Sequence, residues 1–343
     1  MRLACLALLL LLTAASAAPR AAQAPVPPDA VLADPPPFTD WLDALRAEAR
    51  DRGFSDTLLD EALRDLHPLE RVIQSDRSQA ELVPGFDRYF GSHVTRTVVR
   101  RGRTLRREHA RVLRRIGARY GVPPQVLLAI WGMESRFGRA TGRVPIFQAL
   151  ATLAWEPRRS DFFRSQLFDA LTVVARGYID VESMKGSWAG AMGQPQFMPS
   201  SYLAHAVDFD GDGHRDIWRS TPDALASIAN YLRAYGWKAG TSWGREVTIA
   251  DGDLDRVRAA VPPRTEGCYA QRNMTERVPL ARWTALGVRA VNGRPLPAGK
   301  TPAGLVVTGH RTFLVYDNYD AILGYNCAHY YALSVALLSD RIG

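Results

Sequence analysis

From residue 38 onward, apolar positions recur every three or four residues in several segments, which predicts helices that bury one face. Thr39 reads as the N-cap of a helix through "DWLDALRAEARDRG", with Gly53 as its stop. Ser55 opens a second, "DTLLDEALRDL", ending before Pro68. A third runs from about Thr104 to Tyr120, with Leu105, Val112, Leu113, Ile116 and Tyr120 at helical spacing. Pro123 and Pro124 suit the first turn of "VPPQVLLAIWGMESRFG", and Gly138 suits its end. Helices also follow at "DFFRSQLFDALTVVARGYI", after Pro222 at "DALASIANYLRAYG", and in "CAHYYALSVALLSDRI", with Asn326 as N-cap.

Between Gly240 and Asn318 the texture changes. "REVTIA", "GLVVTG" and "RTFLVYD" predict short strands, with turn signals at "ADGD" and "NGRP". The pattern is that of a mainly α protein of the α+β class, with a small β-rich insertion and no internal repeat. The expected organisation is an N-terminal helical region at 38–103, a core at 104–239, a β-rich domain at 240–318 and a C-terminal helix at 319–343.

Upstream, "MRLACLALLLLLTAASAAPR" combines one Arg, an apolar run and Ala15-Ser16-Ala17, which predicts a secretory signal at 1–17. The run is short for a membrane span, and no other segment reaches about 20 apolar residues. Cys5 precedes the apolar run, which disfavours a lipid-anchored N-terminus. Residues 18–37 are Ala- and Pro-rich and read as a tether. The expected location is periplasmic, with no transmembrane segment after cleavage. Loss of the leader leaves Cys268 and Cys327, an even pair that in an exported protein suggests a disulfide; two independent thiols are the alternative.

The 343 residues carry a formal net charge of +8, which favours an anionic partner: nucleic acid, anionic lipid or an acidic polymer such as cell wall. The chain has no RNP-like motif, zinc finger or long Lys/Arg tract, which argues against nucleic acid.

One carboxylate stands in apolar company. Leu127, Ile130, Trp131, Glu134 and Gly138 share one helical face, so Glu134 lies on the apolar stripe. Burial there, and nearness to a helix C-terminus, would raise its pKa toward the range a general acid needs. The structural alternative is an ion pair with Arg136 or Arg139. A second stretch, "KGSWAGAMGQPQFMPSSY", alternates small residues with Ser187, Gln194, Gln196, Ser200 and Ser201, groups able to read sugar hydroxyls and N-acetyl groups. An ordinary polar loop would look the same. Aromatic residues and arginines recur around both stretches.

"GMESRFGRATG", "QALATLAWEPRR", "GSWAGAMGQPQFMPSSYLAHAVDFDGDGHRDIW" and "ALASIANYLRAYGW" together resemble the membrane-bound lytic murein transglycosylase B family, a match running from about Phe38 through "ILGYNCAHYYALSVALL". The resemblance implies a goose-lysozyme-like helical core. It implies cleavage of the β-1,4 bond between N-acetylmuramic acid and N-acetylglucosamine without water, leaving a 1,6-anhydromuramic end. It implies peptidoglycan glycan strands as partner, other cell-wall enzymes as further candidates, and no cofactor in catalysis. On the matching positions, Glu134 is the catalytic acid/base, and Ser187 lies near the reacting N-acetyl group. Gln196, Tyr231 and Asn326 match cleft positions, as do Tyr325, Tyr331, Tyr89 and Arg159. Gln194-Pro195 stands where some members carry Tyr-Gly, so an aromatic contact from that loop is not expected. The alternatives to a transglycosylase are a hydrolytic muramidase and an inactive peptidoglycan-binding scaffold.

"DFDGDGHRDIW" begins like a calcium loop, with Asp208, Asp210, Asp212 and then Gly213 at the sixth position. Arg219 occupies the twelfth, where a bidentate Glu normally sits, so the full pattern fails. Family members place a related metal loop here, with a later acid corresponding to Asp223. A weak structural Ca²⁺ site is the expectation, and a metal-free Asp/Gly turn the alternative.

Overall fold

The computed structural model describes residues 34–78 and 85–343; the leader at 1–17 and most of the tether lie outside them. Three helices come first: α1 (Phe38–Asp51), α2 (Asp56–Leu63) and α3 (Glu70–Ser78). Next are α4 (Phe86–His93), α5 (Arg96–Glu108), α6 (Ala110–Tyr120) and α7 (Pro124–Ser135). Strand β1 (Val144–Pro145) precedes α8 (Ile146–Trp155) and α9 (Ser160–Ala175). Then follow β2 (Lys185–Gly186), α10 (Pro199–His205) and α11 (Thr221–Ala234). The β region holds β3 (Gly244–Thr248), α12 (Leu254–Ala259), α13 (Tyr269–Arg272), β4 (Val278–Pro279), α14 (Leu280–Ala285), β5 (Arg289–Ala290), β6 (Pro302–Thr308) and β7 (Arg311–Val315). The chain closes with α15 (Asp317–Tyr325) and α16 (His329–Ile342).

Two large apolar cores result. One gathers α4 to α7, α11, α15, α16 and the inner face of the sheet around Leu127, Ile130, Phe313 and Leu333. The other joins α1 to α3 with α8 to α10 around Leu59, Leu150, Leu167 and Tyr202. Tyr235 and Tyr325 pack against both, so a seam between the cores runs past α11 and α15. A third, smaller core lies within the β region around Trp283. Its antiparallel sheet has the order β4-β6-β7-β3-β5, and the β6–β7 hairpin pairs Leu305 with Leu314 and Val306 with Phe313.

The three predicted strands are present as β3, β6 and β7, but that region also holds three short helices that its composition did not announce. Ser55 caps α2 by accepting from the Leu58 N–H at 3.3 Å. Thr39 does not cap α1, which starts one residue earlier with Pro37 at the N-cap. The helix expected from 104 to 120 is two helices broken at His109, and the first begins at Arg96. Asn326 is not an N-cap but the C-cap of α15, and α16 begins at His329. The last "helix" is therefore a pair bent by 117°, because the residues of 326–328 turn in extended conformation. No single helix among the described residues is long and apolar enough to cross a membrane.

Cys268 and Cys327 form a disulfide spanning 59 residues, which ties α13 to the α15–α16 corner. Closing a loop of that length contributes about 4 kcal/mol through unfolded-chain entropy. Replacing both cysteines with serine is expected to lower the unfolding free energy by about that amount, read by linear extrapolation of urea curves with each protein's own slope. An unfolding free energy that did not fall would show that this link adds no stability.

Candidate active site

Helix α7 starts with Pro124 and ends abruptly after Ser135. Arg136, Phe137 and Gly138 take left-handed φ values of 51°, 61° and 79° in succession, a conformation only glycine adopts freely. Local contacts hold this turn. The Ser135 hydroxyl, fully buried, accepts from the Gly138 N–H at 3.0 Å and donates to the Trp131 carbonyl at 3.3 Å. The Phe137 ring lies against Gly132, where an added Cβ would approach it to 2.8 Å. Glycine at 132 is thus what lets Phe137 fold back and leaves Glu134 on the last turn of its helix.

The ion-pair alternative fails among the described residues: the partner of Glu134 is Tyr331 on α16, whose hydroxyl donates to Oε1 at 2.5 Å. Burial pushes the Glu134 carboxyl from an ordinary 4.5 up to about 7, against the downward pull of that hydrogen bond. Three more tyrosines surround it. Burial raises the phenols of Tyr325, Tyr231 and Tyr89, and the Glu134 charge raises each further. Tyr325 donates to the Pro195 carbonyl at 2.6 Å, and Tyr231 to the Gly324 carbonyl at 2.8 Å. Their rings form a row: Tyr331 stacks on Tyr325 at 6.5 Å, and Tyr325 lies 4.7 Å from Tyr231. Tyr89 stacks on His93 and touches Tyr330.

The 185–202 stretch is a tight loop locked to the turn after Glu134. Ser187 accepts from the Ala189 and Ala191 N–H groups at 3.3 and 3.0 Å. Gln196, at φ 53°, donates through Nε2 to the Gly193 and Thr141 carbonyls. Gln194 is buried, donates to the Trp218 carbonyl at 3.2 Å, and lies so close to Gly138 that a Cβ there would meet its Oε1 at 2.8 Å. It wedges the loop against the end of α7, a positioning role that polarity alone did not reveal. Ser135 was likewise missed, although serine hydroxyls readily bond nearby backbone groups.

Asn326 is exposed beside Tyr325. Arg159 has a different setting. It pairs with the buried Asp76 and lies 4.9 Å from the centre of the Phe163 ring, while Arg158 donates to the Asp76 carbonyl at 2.6 Å. Among the described residues, no hydrogen bond, ion pair or ring contact joins Arg159 to the Glu134 cluster.

In the acidic loop, one carboxylate oxygen from each of Asp208, Asp210, Asp212 and Asp223 lies within 4.8 Å of the others. Asp223 is fully buried and accepts from the Phe209, Asp210 and Asp216 N–H groups. Burial raises its pKa, and the nearby Asp210 charge adds to this. An all-oxygen, multiply anionic set fits a hard divalent cation. Asp223, on the first turn of α11, completes the set that Arg219 leaves short.

Residues 37–340 match the family described as transglycosylase SLT domain. The chain belongs to that family. It is 31% identical over 301 residues to the membrane-bound lytic murein transglycosylase B of Escherichia coli K12, covering 84% of this chain and 79% of that protein. The fold superposes with a TM-score of 0.80 on SltB3 of Pseudomonas aeruginosa in complex with NAG-anhNAM-pentapeptide, at 42% identity over 88% of this chain and 78% of that one. It also resembles the Escherichia coli lytic transglycosylase Slt35 in complex with calcium, with a TM-score of 0.72 and 29% identity over 90% and 93% of the two chains. The SLT-family chain described here is a lytic transglycosylase with a lysozyme-like helical core.

Glu134 gives this transglycosylase a pH-dependent stability. Between about 4.5 and about 7 the native carboxyl keeps a proton that the unfolded chain has released. Its contribution is full at the acid end of that window and is lost as pH rises through about 7. Glu134→Gln is expected to flatten the melting temperature across this window relative to the parent. Parallel curves for the two proteins would mean that Glu134 titrates normally.

Proposed function

We propose that Glu134 serves as the sole acid and base of a non-hydrolytic cleavage. The protonated carboxyl gives its proton to the glycosidic oxygen between muramic acid and N-acetylglucosamine. The muramic N-acetyl carbonyl stabilises the electron-poor anomeric carbon. The carboxylate then takes the proton of the sugar's C6 hydroxyl, whose oxygen closes the 1,6-anhydro ring. An intramolecular hydroxyl competes with water through its high effective molarity. The observation that carries this reading is the company Glu134 keeps. Burial and the Tyr331 hydrogen bond alone shift it. A second carboxylate ~5 Å away, as a retaining glycosidase requires, would add like-charge repulsion.

Around that centre, Tyr331 tunes the carboxyl, and Tyr89, Tyr231 and Tyr325 offer aromatic walls. Ser187, Gln196 and Asn326 have hydrogen-bonding groups suited to sugar hydroxyls and the N-acetyl group. Arg159 is a weaker candidate, since Asp76 already engages it. Residues 104–239 would form the catalytic core, carried by 38–103 and flanked by the β region. Export by the 1–17 leader to the periplasm, with glycan strands as substrate, completes this reading.

Glu134→Gln is expected to lower muropeptide release from purified sacculi by about 10²–10⁴-fold while the fold survives. The parent's products should be lighter by one water than reducing-end muropeptides. Products ending in reducing sugars would favour the hydrolytic reading instead, and undiminished turnover by the variant would remove Glu134 from the chemistry.

Asp208, Asp210, Asp212 and Asp223 would hold Ca²⁺, which would neutralise their crowded charges and stiffen the loop before α11. Millimolar Ca²⁺ should raise the melting temperature of the parent but not of Asp210→Asn/Asp212→Asn. A parent that neither binds nor shifts by calorimetry would leave the loop as a plain Asp/Gly turn.

A further inference from the structure

The net charge is concentrated in one place. Residues 96–119 hold ten arginines and a single acid, Glu108, so their net +9 exceeds the +8 of the whole chain. They form no run in sequence, but helical spacing gathers them. Arg96, Arg100, Arg103 and Arg107 fall at i, i+4, i+7 and i+11, one exposed face of α5, and Arg111 and Arg114 continue the interval onto α6. That face is not neutralised among the described residues. Glu108 is held by Arg101, and Asp340 is turned to the Trp243 indole. Arg103 donates to the Arg341 carbonyl, a neutral acceptor that leaves its charge uncompensated.

Two shallow clefts lie side by side along it. One, of 540 Å³, has Arg96, Arg100, Arg103, Arg107 and Arg341 around Val94 and Val99. The other, of 470 Å³, shares Arg103 and Arg107 and adds Arg106.

We propose that this face docks the enzyme on a bilayer surface rich in anionic phospholipid, with the clefts receiving headgroup phosphates. Charge complementarity carries the choice of occupant. Guanidinium forks match phosphate oxygens in pairs, and a polybasic surface is drawn to an anionic leaflet without insertion. Among the described residues the large exposed apolar side chains are Tyr269 and Val291, both in the β region, so α5 offers charge and no wedge. Nucleic acid fits less well. Among the described residues no exposed large aromatic side chain adjoins the stripe for base stacking, and α5 packs along α7 and α16 instead of projecting into a groove.

The test is co-sedimentation of the full chain with phosphatidylglycerol/phosphatidylcholine vesicles at about 0.05 M salt, where screening is weak. Its readout is independent of cleavage. The parent should partition onto these vesicles, not onto pure phosphatidylcholine, and should be released at about 0.5 M salt. Arg96→Gln/Arg100→Gln/Arg107→Gln should bind about 100-fold more weakly, since each basic residue near the surface contributes roughly fivefold. Arg258→Gln/Arg282→Gln/Arg294→Gln, with the same charge loss on the β region, should bind as the parent does. Equal losses in the two triple variants would overturn the proposal, as would a parent that ignores anionic vesicles. So would a parent that binds duplex DNA through the stripe but leaves the vesicles in solution.

Discussion

Tyr331 donates to Glu134 across 197 residues of chain, and the packing of α7 against α16 is what brings this part-buried pair together. The carboxyl lies where α7 and α16 pack together, close to the seam where the two large cores meet. Partial desolvation there is what raises its pKa, and one phenol keeps the rise moderate. A carboxyl with no hydrogen bond there would stay protonated and make a poor base. One paired with arginine would stay ionised and make a poor acid. A single neutral donor leaves both states accessible near neutrality.

The backbone after Glu134 is the second constraint. Three left-handed residues in succession are unfavourable, so their surroundings must hold them. Ser135 closes the turn from within, Gly132 gives the Phe137 ring room, and Gln194 presses on Gly138 from the neighbouring loop. The same contacts fix the spacing between the acid and the 185–202 loop. The Glu134 carboxyl and the 185–202 loop are therefore held as one unit, although among the described residues no hydrogen bond links Ser187 or Gln196 to Glu134.

Two concentrations of charge lie outside this unit and are handled in opposite ways. The acidic loop folds inward, and Asp223 satisfies three backbone N–H groups from a buried position. The arginines of α5 point outward, with little to neutralise them. The first arrangement asks for a small cation in a fixed cage. The second asks for an extended anionic surface.

Local pattern alone determined the helical texture, the strands β3, β6 and β7, and the anomaly of Glu134 on an apolar stripe. Resemblance in four ordered blocks supplied the activity, and the tyrosines of the site came with it. Local pattern could not supply the breaks. His109 divides what periodicity joins, and Asn326 ends one helix where its polarity suggested the start of another. Caps are decided by which neighbour offers an acceptor to the first N–H groups or a donor to the last carbonyls, and the sequence pattern alone does not say which. Nor could spacing choose between Arg136 and a distant phenol as partner to Glu134, or send Arg159 to Asp76. A side chain's protonation and pairing are set by the dielectric and donors that surround it, and in this protein those arrive from helices far apart in the chain.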